Sequence, residues 1–168
     1  MAKAPLKGLP PIVDHSSRVL VLGSFPSVIS RKKKEYYANP RNYFWEIISR
    51  VVGERPPIIY RQKRELLKKH KIGLWDIVES CCVKGAQDNM IRSPVLNDIA
   101  GLLTKYPNIK AVFLGGKKAY SLFKGQYQSF RVPCKCLPST SPANARQSLR
   151  SKKAEWRKII SVIRTRDN

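Results

Sequence analysis

Arg18-Val19-Leu20-Val21-Leu22 is a continuous apolar run that stops at Gly23, the pattern of a parallel strand buried on both faces. Phe44, Ile47, Ile48, Val51 and Val52 then recur at helical spacing until Gly53 and the pair Pro56-Pro57 end the element. Arg61 to His70 predicts a basic helix with Leu66 and Leu67 turned inward, and Leu74-Trp75-Asp76-Ile77-Val78 a second strand. At Ser93-Pro94 a capping hydroxyl precedes a proline, which predicts a helix start. Leu96, Ile99, Ala100 and Leu103 mark its buried face. Ile109 to Leu114, closed by Gly115-Gly116, reads as a third strand, and Lys117 to Phe123 as a short helix. Val132 to Leu137 is a fourth strand, which Pro133 assigns to a sheet edge. Trp156, Ile159, Ile160 and Ile163 form the stripe of a C-terminal helix, with Arg150, Lys152, Lys153, Arg157, Lys158 and Arg164 on its outer face.

Strands alternating with helices predict an α/β fold, a three-layer α/β/α arrangement around a central four-stranded parallel sheet. Its 168 residues suit one domain spanning 1–168, with flexible ends at about 1–10 and 166–168. Ligands of such sheets bind beyond the carboxyl ends of the strands. The loops there are Gly23 to Asn42, Glu79 to Ser93, Gly115 to Lys118 and Pro138 to Ala145, and every unusual segment falls on that rim.

Charge narrows the choice of partner. Lys and Arg number 33 against 11 acids, a net charge of +22. With 42% apolar residues the chain is still globular, so the excess belongs to a folded surface and points to a polyanion, nucleic acid first. No segment offers the ~20 apolar residues that span a bilayer, and Met1 to Pro11 has no apolar run of a secretory signal. The expected setting is intracellular, cytoplasmic in a prokaryote. Cys81-Cys82 and Cys134-x-Cys136 lack the spacing of common zinc sites and read as reduced thiols.

On the rim, Gly23-Ser24-Phe25-Pro26-Ser27 has neither the glycine pattern of a dinucleotide site nor the Gly-Lys-Ser/Thr of a P-loop, which sets NAD and ATP chemistry aside. Tyr36 to Trp45 joins an amide, aromatics, a proline-stiffened turn and a helix start. A polar amide held by bulky neighbours suits a pocket that grips a flat ring and directs a water. Leu137-Pro138-Ser139-Thr140-Ser141-Pro142 is a stiff polar turn whose hydroxyls and amides suit phosphate contacts.

Taken together, these segments resemble the uracil-DNA glycosylase superfamily from about Arg18 to Ile163. Gly23-Ser24-Phe25-Pro26-Ser27 followed by Pro40-Arg41-Asn42-Tyr43-Phe44-Trp45 resembles its first motif, a Gly-x-x-Pro-Gly/Ser loop and a Pro-x-Asn-x-Phe-Trp element. The Pro138-Ser139 turn after the last strand resembles its second. The first loop lacks an acidic or amide residue for activating water, and Leu137 stands where uracil-specific relatives have a His or Asn. The chain therefore looks most like the hypoxanthine-DNA glycosylase branch. The resemblance implies a uracil-DNA-glycosylase-like fold, hydrolysis of an N-glycosidic bond in DNA carrying a deaminated base, no metal or organic cofactor, and a monomer. It gives the catalytic role to Asn42 and places Asn39 where relatives have a His.

The remaining roles follow from residue type and position. Asp76 sits where superfamily relatives read the edge of the base, and a carboxylate accepts from the ring N–H of hypoxanthine while repelling the bare acceptor of adenine. Phe25 and Tyr37 offer rings for stacking on a flipped base, and Ser24 lies beside them. Ser27, Lys117, Ser139, Thr140, Ser141 and Pro142 are the candidate DNA contacts. Plain structural alternatives stand beside each: a helix cap for Asn42, a strand-end cap for Asp76, core packing for the rings. At the level of the whole protein, a uracil or mismatch-specific glycosylase of the same fold and a nucleic-acid-binding module without activity remain open.

Overall fold

The computed structural model describes residues 4–83, 91–126, 130 and 132–165. In chain order the elements are β1 (Leu6–Lys7), β2 (Val19–Gly23), α1 (Val28–Lys33), α2 (Phe44–Val51), α3 (Tyr60–Lys69), β3 (Ile72–Asp76), β4 (Val78–Val83) and β5 (Ile91–Leu96). There follow α4 (Ile99–Lys105), β6 (Ala111–Gly115), α5 (Lys117–Gln126), β7 (Cys134–Leu137), α6 (Leu149–Trp156) and α7 (Lys158–Arg164). Strands β3-β2-β6-β7 form a parallel sheet in that order, with Pro133 just before the edge strand β7, as its missing N–H requires.

The alternation of β2 builds both faces of this sheet. Val19 and Val21 pack with Phe44, Ile47, Ile48, Leu67 and Trp156 of α2, α3 and α6. Leu20 and Leu22 face the other way, toward Ile99 and Leu102 of α4 and Phe123 of α5. A strand fully buried on both sides explains the unbroken apolar run, and the helices on each face make the three layers.

Five expectations are corrected. Ser93-Pro94 starts no helix; both residues lie in β5, the edge of a second, antiparallel sheet of order β1-β4-β5. A Ser-Pro pair serves an edge strand as well as a helix start, because the missing N–H can face outward in either. The helix is capped instead by Asp98, whose carboxylate accepts from the Gly101 N–H at 2.8 Å. The second strand also ends earlier than its apolar run, at Asp76. There the chain leaves the parallel sheet, the Ile77 and Val78 amides donating to the Gly23 and Ser24 carbonyls as β4 begins. The Glu79 to Ser93 rim loop is consequently strand over its described parts; residues 84–90 lie outside the described residues. At the N-terminal end, assigned above to a flexible tail, Leu6 and Lys7 pair with Cys81 and Ser80. Lys152, placed above on an outer face, is buried. Helix α1 had no sequence signal beyond its cap, Ser27, which accepts from Ser30 N–H at 3.2 Å. Among the described residues no helix is long and apolar enough to cross a membrane.

Candidate active site

Where β2, β3 and β6 end together, their following loops enclose a cavity of about 510 Å³, within the usual range for small-ligand sites. Its wall gathers the predicted residues from five separate stretches of chain. Ser24, Phe25 and Ser27 come from the loop after β2, Tyr37 and Asn42 from the segment before α2, and Asp76 from the end of β3. Lys117 opens α5, and Ser139 to Pro142 belong to the turn after β7. Asn39, Ser30, Arg31, Lys118 and Asn144 line it too.

Asp76 is the most constrained of these groups. Its side chain is 4% exposed and its Oδ2 has no hydrogen-bond partner. Burial pushes its carboxyl up to about 7, since a charge without compensating donors is poorly solvated there. It caps no turn; its backbone carbonyl accepts from Asn97 Nδ2 at 2.8 Å, which fixes the strand end and leaves the carboxyl alone. Gly23 makes room for it. A Cβ on Gly23 would meet Asp76 Oδ1 at 2.4 Å and the Tyr37 hydroxyl at 3.1 Å.

Asn42 holds the start of α2. Its Oδ1 accepts from the Phe44 N–H at 2.9 Å, so the capping role foreseen for it is present. Helix α2 has no side-chain cap at Tyr43 itself. With Oδ1 so engaged, one carbonyl lone pair and the whole NH2 group remain for a ligand. Asn39 closes the turn before it, accepting from Arg41 N–H at 3.0 Å.

The aromatic residues divide. Tyr37 stacks on Phe44 with centroids 3.9 Å apart and planes 15° from parallel. Phe44 is fully buried in the core, so that face of Tyr37 is already covered. Phe25 carries the Arg31 guanidinium 5.1 Å from its ring centroid, a cation over the aromatic face that the sequence reading missed. Arg31 was hidden at the head of a basic run, with nothing local to single it out.

The serines are engaged in their own turns. Ser139 Oγ accepts from Ser141 N–H and Ser141 Oγ from Ala143 N–H, both at 3.2 Å. Beneath this turn the Lys152 ammonium donates to Asn144 O at 2.8 Å and lies 5.7 Å from the Tyr43 ring centroid. Burial lowers its pKa. Gly116, at φ +120°, lets the turn approach; a Cβ there would touch Ser139 Cβ at 3.0 Å. Among the described residues no group of three or more His, Cys, Asp or Glu could hold a metal, and the four cysteines are free thiols.

A parallel α/β sheet with this cavity at its strand ends, walled by both motifs, fits one known class of protein. The family model of the Uracil DNA glycosylase superfamily matches residues 10–164, and the chain belongs to that superfamily. More particularly, it is 34% identical over 159 residues to the hypoxanthine DNA glycosylase of Methanosarcina acetivorans, covering 92% of this chain and 97% of the relative. It is 36% identical over 155 residues to the hypoxanthine DNA glycosylase of Methanosarcina barkeri, covering 89% and 94%. Its fold matches, at TM-score 0.85 and 32% identity, the solution NMR structure of a protein proposed as a uracil DNA glycosylase from Methanosarcina acetivorans, over 96% of this chain and all of that one.

Proposed function

We propose that this chain is a monofunctional DNA glycosylase that flips a deaminated base, hypoxanthine above all, out of DNA and hydrolyses its N-glycosidic bond. The observation that carries the reading is Asp76: a buried carboxyl without a hydrogen-bond partner, in the wall of a cavity that also presents Asn42. A buried polar group in that state calls for a ligand with a donor. The ring N–H of hypoxanthine supplies one; adenine offers a lone pair instead. The names of the two curated relatives agree with this choice.

In the reaction, water oxygen bonds to the sugar C1′ as the bond from C1′ to the base nitrogen breaks. The electron pair of that bond stays with the base, which takes up a proton, and the water releases one to solvent. The sugar passes through an oxocarbenium-like state, as in glycoside hydrolysis. Asn42 directs the water through its remaining lone pair, anchored by the Phe44 bond. The basic surface, with Lys117 and the Ser139 to Pro142 turn, holds the DNA phosphates around the flipped nucleotide. The chain acts as a monomer.

Duplexes carrying deoxyinosine, deoxyuridine, deoxyxanthosine or a G·T mismatch, incubated with the protein and then treated with alkali, test this. Alkali-dependent cleavage fastest at deoxyinosine is expected. Faster release of uracil or of mismatched thymine would move the preference to those branches. Tight DNA binding with no release of any base would reduce the protein to a binding module.

A further inference from the structure

Tyr37 has a backbone that its side chain does not favour. At φ +51° it occupies the left-handed region, which bulky residues seldom enter. Such strain is kept when the surroundings demand one placement of the side chain. Here Phe44 fixes the ring, and the hydroxyl comes to rest beside Gly23 and Gly115, two positions without a Cβ. Among the described residues that hydroxyl has no hydrogen-bond partner, in contrast to Tyr36 next to it, whose hydroxyl donates to Leu9 O and Pro10 O. Asp76 Oδ1 approaches the same Gly23 position, 2.4 Å from where a Cβ would sit against 3.1 Å for the Tyr37 hydroxyl. One donor and one acceptor thus meet at the same Gly23 position of the cavity wall.

Resting on the glycosylase reading above, we propose that Tyr37 and Asp76 read the base as a pair, the hydroxyl donating to a ring carbonyl while the carboxylate accepts from the adjacent ring N–H. The recognised class is therefore the lactam edge, an N–H beside a C=O. Hypoxanthine, xanthine and uracil share that edge; adenine presents the reverse order and would leave both protein groups without partners. Tyr37 acts here through its hydroxyl, with one ring face held against Phe44. Burial opposes the charge on that carboxyl, and a ring N–H donor would offset the opposition.

The test compares duplexes bearing 2′-fluoro-arabino-inosine, whose fluorine slows base loss, with duplexes bearing the matching nucleoside of unsubstituted purine, which lacks the carbonyl and the N–H. The unmodified protein should bind the first more tightly. Tyr37→Phe keeps the ring on Phe44 and removes only the hydroxyl, so its Tm should stay within a degree or two of the unmodified protein's. Its preference for the inosine analogue should fall about tenfold, the scale of one hydrogen bond, through weaker binding of that analogue alone. Asp76→Asn, which can also donate, should lose preference to a similar degree. An unchanged preference in Tyr37→Phe would overturn the proposal, and so would equal weakening toward both analogues. Failure of the unmodified protein to release hypoxanthine in the alkali assay would instead overturn the glycosylase reading, which separates the two failures.

Discussion

The Tyr43 N–H donates to the Thr140 carbonyl oxygen at 3.1 Å, joining the segment before α2 to the turn after β7. The two motifs are distant in sequence, yet this bond and the Lys152 contact beneath it make them one wall of the cavity. Asn42 precedes that bonded residue directly, so its position is set by α2 on one side and by the serine turn on the other. A displaced turn would move the amide as well.

Asn42→Ala should show two effects at once, because the residue has two attachments. Loss of the bond to Phe44 N–H should cost about 1 kcal/mol of stability, the usual value of a helix-start cap. Single-turnover release of hypoxanthine should fall by at least ~100-fold, the effect of removing one polar group that acts in the transition state. Asn42→Asp keeps an acceptor for the Phe44 N–H and should recover the stability. Thermal melts and single-turnover rates on both variants decide the matter: a stable, active Asn42→Ala protein would refute the role in chemistry.

Asp76 couples activity and stability to pH in opposite directions. Its carboxyl titrates near 7 in the folded protein against 3.8 for the unperturbed group. Folding therefore favours the protonated form: the stability this group allows is fully present below about pH 4 and is lost as pH rises through about 7. Base reading needs the ionised form, so kcat/KM on inosine DNA should climb across the same upper limb. Asp76→Asn should abolish that limb and gain on the order of 1–3 kcal/mol of stability at pH 8, fading toward pH 4. Denaturant melts across this range give the check; a variant no more stable at pH 8 than at pH 4, relative to the unmodified protein, would contradict the assignment.

Phosphate contacts from the +22 surface should dominate DNA affinity. Raising salt from 50 to 200 mM should weaken binding by well over tenfold, since several counterions are released per complex. A change below about tenfold would mean that few of the Lys and Arg residues reach the backbone. The catalytic rate of the bound complex should move far less, because screening acts on exposed charges more than on the enclosed cavity.

How far the chain could be read from its sequence follows the range of the forces involved. The apolar run of β2, the stripe of α2 and the turn residues on the rim are local patterns, and each specifies its element within a few residues. That is why the parallel sheet, and the gathering of Gly23, Asn42, Asp76 and Ser139 at its strand ends, are legible in the sequence. Pairing and desolvation are not local. Ser93-Pro94 became strand and not helix because β4 was there to pair with β5. Lys152 went inside because the Asn144 carbonyl and the Tyr43 ring received it. Tyr37 turned its face to Phe44 and left its hydroxyl free, and Asp76 lost its water with nothing given in return. Sequence named these residues and placed them on one rim; only the packed chain decided which of their polar atoms were already bonded and which were left open.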